Sequence, residues 1–283
     1  CAYRKRFKAF RAGMQYQESL SNRDVGTCIL SISDLHIPFQ KPIDTFSECA
    51  GKIDILQVNG DLVDCSSISR FLKVYRKSPM EEMIARQYMI DLIEMLQPKK
   101  VVVNYGNHDL RFQNYLAKNL DIDLLELMPK TSLELIFVDG FNHYNKELHT
   151  KVHYDPLIEV FNGTGIEIVY NDTYFSQIGD TVFVHPLTYS SGLLKTAEKA
   201  FRYFRDNGFK DVNAVVLAHT HKCGHYDIGD GAVVYEQGCC CESSKMQYAE
   251  GKLTTSQREG FIIVYQDKDG KLIESKTHIV RLN

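Results

Sequence analysis

Beyond residue 26 the chain alternates short apolar runs with stretches of helical periodicity. Residues 27–33, 53–58 and 100–105 are apolar on both faces and too short to be helices, so each predicts a strand buried on both sides. Helical patterns near 41–50 and 79–96 separate them. Further strands are predicted at 181–184, 213–217, 232–235 and 260–265, with a helix over 192–207 that Ser191 would cap at its N-terminus. Strands and helices in this alternation predict an α/β layered fold, and no internal repeat divides the chain.

Residues 1–22 have a different character. Tyr3, Phe7, Phe10 and Met14 recur at helical spacing, while Arg4, Lys5, Lys8 and Arg11 fall largely on the other side. This predicts a basic amphipathic helix ahead of one large domain over 23–283. Its apolar stripe would pack on that domain, or its basic face would meet the phosphates of a nucleic acid. Residues 137–165 are polar and interrupt the strand pattern as an insertion.

Composition narrows the function classes. A net charge of -3 gives no global attraction to polyanions, so any nucleic-acid contact needs a local basic patch. No apolar run reaches the roughly 18–20 residues of a membrane helix, which predicts a protein without a membrane partner. The eight cysteines show no paired CxxC spacing, so reduced thiols and a cytoplasmic location are expected. The chain opens on Cys1 instead of Met, which leaves open whether residues precede it.

Side chains of metal-ligand type stand at the ends of five of the runs. The first leads into Asp34 and His36, which two-residue spacing on an extended chain points the same way. The second leads into Gly60, Asp61 and, three residues on, Asp64; the glycine permits a sharp turn. The third leads into Gly106, Asn107, His108 and Asp109, the run 181–184 ends in His185, and the run 213–217 ends in Ala218, His219, Thr220 and His221. Carboxyl ends of strands in open α/β sheets are where sites are built, so residues far apart in sequence can meet in one crevice. Turn chemistry explains any one of these clusters, but it does not call for histidine at four of the five tips.

The ordered set SDLH, NGDLVD, GNHD, VHP and AHTH resembles the calcineurin-like metallophosphoesterases, over about residues 27–225. The later segments YEQGCCCES and REGFIIVY resemble versions of that family found in phages and prophages. The resemblance implies a double β-sheet sandwich flanked by helices, in αββα layers. It also implies two divalent ions bridged by Asp61 and by the hydroxide that attacks phosphorus. Asp34, His36 and His221 would complete the first metal position, and Asn107, His185 and His219 the second. His108 would protonate the leaving oxygen, oriented by Asp64. Manganese is the expected metal, although iron, zinc and nickel suit the same nitrogen and oxygen donors. Val184 and Ala218 stand where family members often carry glycine, and neither change removes a ligand.

Arg70 and Arg111 follow the second and third motifs, where a guanidinium could grip a substrate phosphate or simply face solvent. His143, His149 and His153 read as surface residues of the insertion, and Cys239, Cys240 and Cys241 as buried packing, since three adjacent side chains of an extended segment cannot all point at one ion. GNHD followed by Leu110 and Arg111 resembles nuclease and diesterase branches more than protein phosphatases, which usually carry GDxxDRG and GNHE. A phosphodiesterase acting on DNA or RNA is therefore expected. The alternatives are a phosphomonoesterase or small-nucleotide hydrolase, and a non-catalytic binding scaffold of the retromer type; the complete ligand set argues against the last.

Overall fold

Strand β1, Thr27–Ile32, shows how the sequence builds the layers. Cys28, Leu30 and Ile32 join a core shared with helices, whereas Ile29 faces a second sheet across the middle of the molecule. Alternate side chains of a strand leave opposite faces, so an apolar run of this kind is stable only between two apolar layers. The computed structural model describes residues 24–69, 77–128, 131–209, 211–229, 231–246 and 257–282, together with residue 6. The predicted N-terminal helix, residue 6 apart, and Arg70 lie outside the described residues.

The other strands are β2 (Ile55–Asn59), β3 (Lys100–Asn104), β4 (Phe141–Asn145), β5 (Thr150–Tyr154), β6 (Glu167–Asn171), β7 (Phe175–Ile178) and β8 (Thr181–Val184), followed by β9 (Ala214–Leu217), β10 (Cys223–Gly229), β11 (Ala232–Gln237), β12 (Gly260–Gln266) and β13 (His278–Arg281). Six form one sheet in the order β13-β12-β1-β2-β3-β6, and five form a second in the order β10-β11-β9-β8-β7. In the first sheet β1, β2, β3 and β6 run parallel. In the second, β8, β9 and β11 do. Ile29, Ile262 and Val264 of the first sheet meet Phe183, Ala214, Val216, Val233 and Tyr235 of the second.

Helices cover both outer faces. Helix α1 (Pro79–Ile84) starts in a capping box made by Ser78 and Glu81, and α2 (Gln87–Leu96) buries Met89, Ile90, Leu92, Ile93 and Leu96 against the first sheet. Helix α3 (Leu110–Asn119) follows β3. Helix α4 (Lys195–Asp206) buries Ala197, Phe201 and Phe204 against Val182, Val215 and Val234 of the second sheet. The result is the expected double sandwich flanked by helices.

Three boundaries differ from expectation. The helical pattern 79–96 divides at Ala85–Arg86, where Arg86 N bonds Met83 O, a tightened turn that ends the first segment. The segment near 41–50 is a 3-10 helix, Ile43–Cys49. The helix expected from 192 begins at Lys195 instead, because Leu194 takes the left-handed conformation (φ 61°). Ser191 therefore caps nothing there; its carbonyl accepts from Lys222 Nζ at 2.6 Å.

Candidate two-metal site

The five motifs emerge at one edge of the sandwich because β1, β2 and β3 are parallel, as are β8 and β9, so their carboxyl ends lie side by side. The chain then turns sharply, and Asp34, His36, Asp61, His219 and His221 all have positive φ, between 47° and 75°. Asp, Asn and His tolerate this region better than β-branched residues do, and such conformations gather at functional sites.

Ligand atoms converge in two groups, all buried except the half-buried His219. Asp34, His36 and His221 present theirs within 4.8 Å of one another, and so do Asp61, His185 and His219. Asp61 lies between them: its Oδ2 is 3.3 Å from His185 Nε2 and 3.9 Å from His36 Nε2. Asn107 Oδ1 lies 3.2 Å from the same His185 nitrogen. His185 Nδ1 is 2.8 Å from the Asn59 carbonyl, a contact that fixes the proton on Nδ1 and turns Nε2 toward the site.

The donor set fits divalent ions. His36 Nε2 and His221 Nε2 are 3.3 Å apart, with Asp34 Oδ1 3.1 Å from the latter. One cation can accept both imidazole lone pairs and the carboxylate together. Burial raises the Asp61 carboxyl, but His185, His108 and His36 outweigh it and hold the pKa well below the usual range. Burial lowers His185, whereas Asp61 and Asp34 raise it to about 9. The His185 proton thus occupies the place of cationic charge, and an ion must displace it. The apparent metal affinity should climb about tenfold per pH unit toward pH 9 and flatten above it. Calorimetry in buffers of different ionisation enthalpy measures the released proton, and a pH-independent affinity would show that His185 is not displaced from a protonated state.

His108 stands beside these groups. Its Nδ1 is 2.9 Å from Asp64 Oδ1, its Nε2 is 3.9 Å from Asp61 Oδ2, and Arg111 Nη2 donates to that Nε2 at 2.8 Å. Burial, with help from His36 and Arg111, lowers His108 to about 4 against the pull of Asp61 and Asp64. Arg111 Nη1 also donates to the Asp64 carbonyl at 2.7 Å, so the guanidinium lies at the site and away from bulk solvent. His36, Asp61 and His108 form a further group of metal-ligand type. His143, His149 and His153 join no such group among the described residues; His153 lies on the β4–β5 hairpin, 3.3 Å from Asp155.

Some supporting residues were not singled out from sequence. Asp109 accepts from Asp61 N and from Gly106 N, each at 2.8 Å, and so ties the second motif to the third. Burial and the nearby Asp61 raise its pKa to about 7. Glu82, on α1, accepts from the Cys65 and Ser66 amides and, at 2.7 Å, from Ser66 Oγ, which holds the turn after Asp64. An acid inside a buried helix face was its only signal. Gly106 is needed for space: a Cβ there would meet Asp61 Oδ1 at 2.1 Å and Asp61 N at 2.6 Å. Gly106→Ala should therefore lower stability by about 1–3 kcal/mol and weaken metal binding, read by thermal melting with and without added metal. Unchanged binding would mean the loop can move aside.

Comparison with known proteins bears on this arrangement. The sequence profile of the calcineurin-like phosphoesterases matches residues 29–223, which contains all five motifs. The chain belongs to that family. Membership supports metal-dependent phosphoester hydrolysis as the activity and divalent ions as the cofactors. Among solved structures, a point mutant of Vps29 from Entamoeba histolytica is 16% identical, with 90% of this chain and 99% of that chain covered and a TM-score of 0.39. Vps29 from Chaetomium thermophilum is 12% identical over 91% of this chain and 97% of that chain, with a TM-score of 0.38. A metallophosphoesterase from Sphaerobacter thermophilus is 14% identical over 90% and 88%, also with a TM-score of 0.38. A search of curated protein sequences gave no match. No helix among the described residues is long and apolar enough to cross a membrane.

Proposed function

We propose that this protein is a two-metal phosphodiesterase whose substrate is a nucleic acid, with manganese as the working metal. The observation that carries the reading is the convergence of two ligand groups on Asp61 with the His108–Asp64 pair beside them. Asp34, His36 and His221 would hold one ion, and Asn107, His185 and His219 the other, with Asp61 within reach of both. Two such ions supply charge neutralisation at the phosphoryl oxygens and a water acidic enough to attack near neutral pH.

The chain's own residues account for the remaining chemistry. Asn59 and Asp109 hold His185 and Asp61 in place, so the ligand geometry exists before substrate arrives. Asp64 Oδ1, 2.9 Å from His108 Nδ1, would draw the ring proton to that nitrogen and leave Nε2 facing the site. In the resting state Arg111 occupies that Nε2. A phosphodiester anion draws the guanidinium onto its own oxygens, which frees Nε2, removes a positive neighbour and raises the His108 pKa toward the range of a useful acid. His108 then takes up a proton on Nε2 from solvent and donates it to the departing alkoxide.

GNHD followed by Leu110 and Arg111 supports a diester over a monoester, and the basic segment 1–22 supports a polyanionic one. A screen of bis-p-nitrophenyl phosphate against p-nitrophenyl phosphate, then of single-stranded and duplex DNA and RNA, tests this with each metal in turn. Faster turnover of the monoester, with no nucleic acid cut, would shift the assignment to a phosphomonoesterase. Binding of two ions without turnover of any ester would point to a scaffold. Deleting residues 1–12 should weaken nucleic-acid binding and flatten its salt dependence while sparing small esters. An unchanged salt slope would return that segment to a packing role.

A further inference from the structure

Cys239, Cys240 and Cys241 follow β11 in an extended segment whose backbone is fixed from both sides. Cys239 bridges to Glu259, and Cys241 bridges to Gln40. Cys240 N donates to Ser33 O at 2.9 Å, and Lys41 N to Cys240 O at 2.9 Å. Side chains two apart therefore leave the same face. Cys240 turns into the main core, whereas Cys239 and Cys241 pack together beside Met246 and Phe39. All three cysteines are buried packing residues, as the sequence suggests, and two of them also share a face.

The two thiols and His221 present ligand atoms within 4.8 Å of one another, and all three residues are buried. This group contains no carboxylate, unlike the Asp34, His36, His221 group next to it. Thiolate donors select soft ions, while carboxylate and amide oxygens favour harder ones such as manganese. Cys28, Cys49, Cys65 and Cys223 are also buried and free, yet none belongs to a metal-type group among the described residues.

We propose that Cys239, Cys241 and His221 form a third metal position, for a thiophilic ion of the zinc or copper(I) class, which shares His221 with the first position of the catalytic pair. With the first catalytic position also filled, binding transfers one proton from each thiol and the remaining ring proton of His221 to solvent, so that the ion takes two thiolates and one nitrogen of an imidazolate shared with its neighbour, with an open place for water or another ligand. Because His221 belongs to both groups, occupancy of the soft position alters the ligand field of its neighbour. A thiophilic metal would then change the enzyme differently from manganese, which has no affinity for the thiols.

Metal-free full-length protein titrated with Co2+ tests the assignment. The expected result is a third equivalent of cobalt accompanied by a near-ultraviolet sulfur-to-cobalt charge-transfer band. Manganese should stop at two equivalents. The double variant Cys239→Ser/Cys241→Ser should lose the band and one equivalent while still binding two ions, and Cys240→Ser should keep both. X-ray absorption on the zinc-loaded wild type is the second measurement and needs no variant: sulfur scattering at about 2.3 Å is expected. Absence of the band and of sulfur scattering in the wild type would overturn the proposal, as would a band that survives the double variant. A thiolate band at a total of two ions would also overturn it, because the thiols would then be ligands of the catalytic pair. Loss of phosphoesterase activity alone bears on the proposed function and not on this position, since the readouts here are spectral and stoichiometric.

Discussion

Asp61→Asn is expected to abolish turnover, by at least about 10³-fold, and to weaken both metal positions at once. The carboxylate lies between the two ligand groups, with Oδ2 3.3 Å from His185 Nε2 and 3.9 Å from His36 Nε2. Its other oxygen accepts from His108 N at 2.7 Å, so the substitution also loosens the third motif. An amide offers one oxygen and no net charge, and cannot bridge two cations as a carboxylate does. His36→Ala provides the contrast, because His36 is assigned to the first of the two proposed metal positions and excess metal should partly restore its activity. Elemental analysis together with rate measurement decides the matter. Two tightly held ions and a near-normal rate in Asp61→Asn would remove the bridging role.

His108→Ala is expected to cost about 10² to 10⁴ in rate on a nucleic-acid diester and much less on a nitrophenyl ester. A nucleotide alkoxide needs a proton as it leaves, whereas nitrophenolate departs without one. Metal content should be unchanged. Asp64→Asn should show the same asymmetry in weaker form, since the imidazole 2.9 Å away would remain but be less firmly oriented. His108 also falls into a group with His36 and Asp61 that could take a metal. Equal losses on both esters with the ions retained would make His108 a phosphate-binding residue; equal losses with an ion missing would make it a ligand.

The layered fold was legible because its central strands carry apolar residues on both faces. β1, β2, β3, β8 and β9 were each located to within about two residues at either end. The strands β6, β7, β10 and β13 were missed, and they share a cause: each lies at an edge of its sheet or carries a half-exposed face, so Glu167–Asn171 and His278–Arg281 offer only a short apolar run between polar ends. Tertiary pairing alone makes them strands. The candidate ligands were visible because Asp and His stood directly after buried runs. Asp109 and Glu82 were harder to see, since their roles consist of accepting backbone amides from distant loops. The thiol pair was obscured by its own neighbour: rejecting three adjacent cysteines as ligands of one ion passed over the two that share a face, and His221 beside them comes from a different strand end.

The left-handed backbone at Asp34, His36, Asp61, His219 and His221 sets selection for folding against selection for chemistry. Glycine would adopt each of those conformations with less strain, and in the metal-free chain it would also remove a buried polar group from a crowded cluster. Variants that accumulate under pressure for heat resistance alone should therefore lose these residues early and still fold. A lineage that keeps all five is one in which hydrolysis, or at least ion binding, has been continuously used. In a set of diverging sequences, erosion at these five positions would mark the point at which a catalyst turned into a fold kept for other reasons.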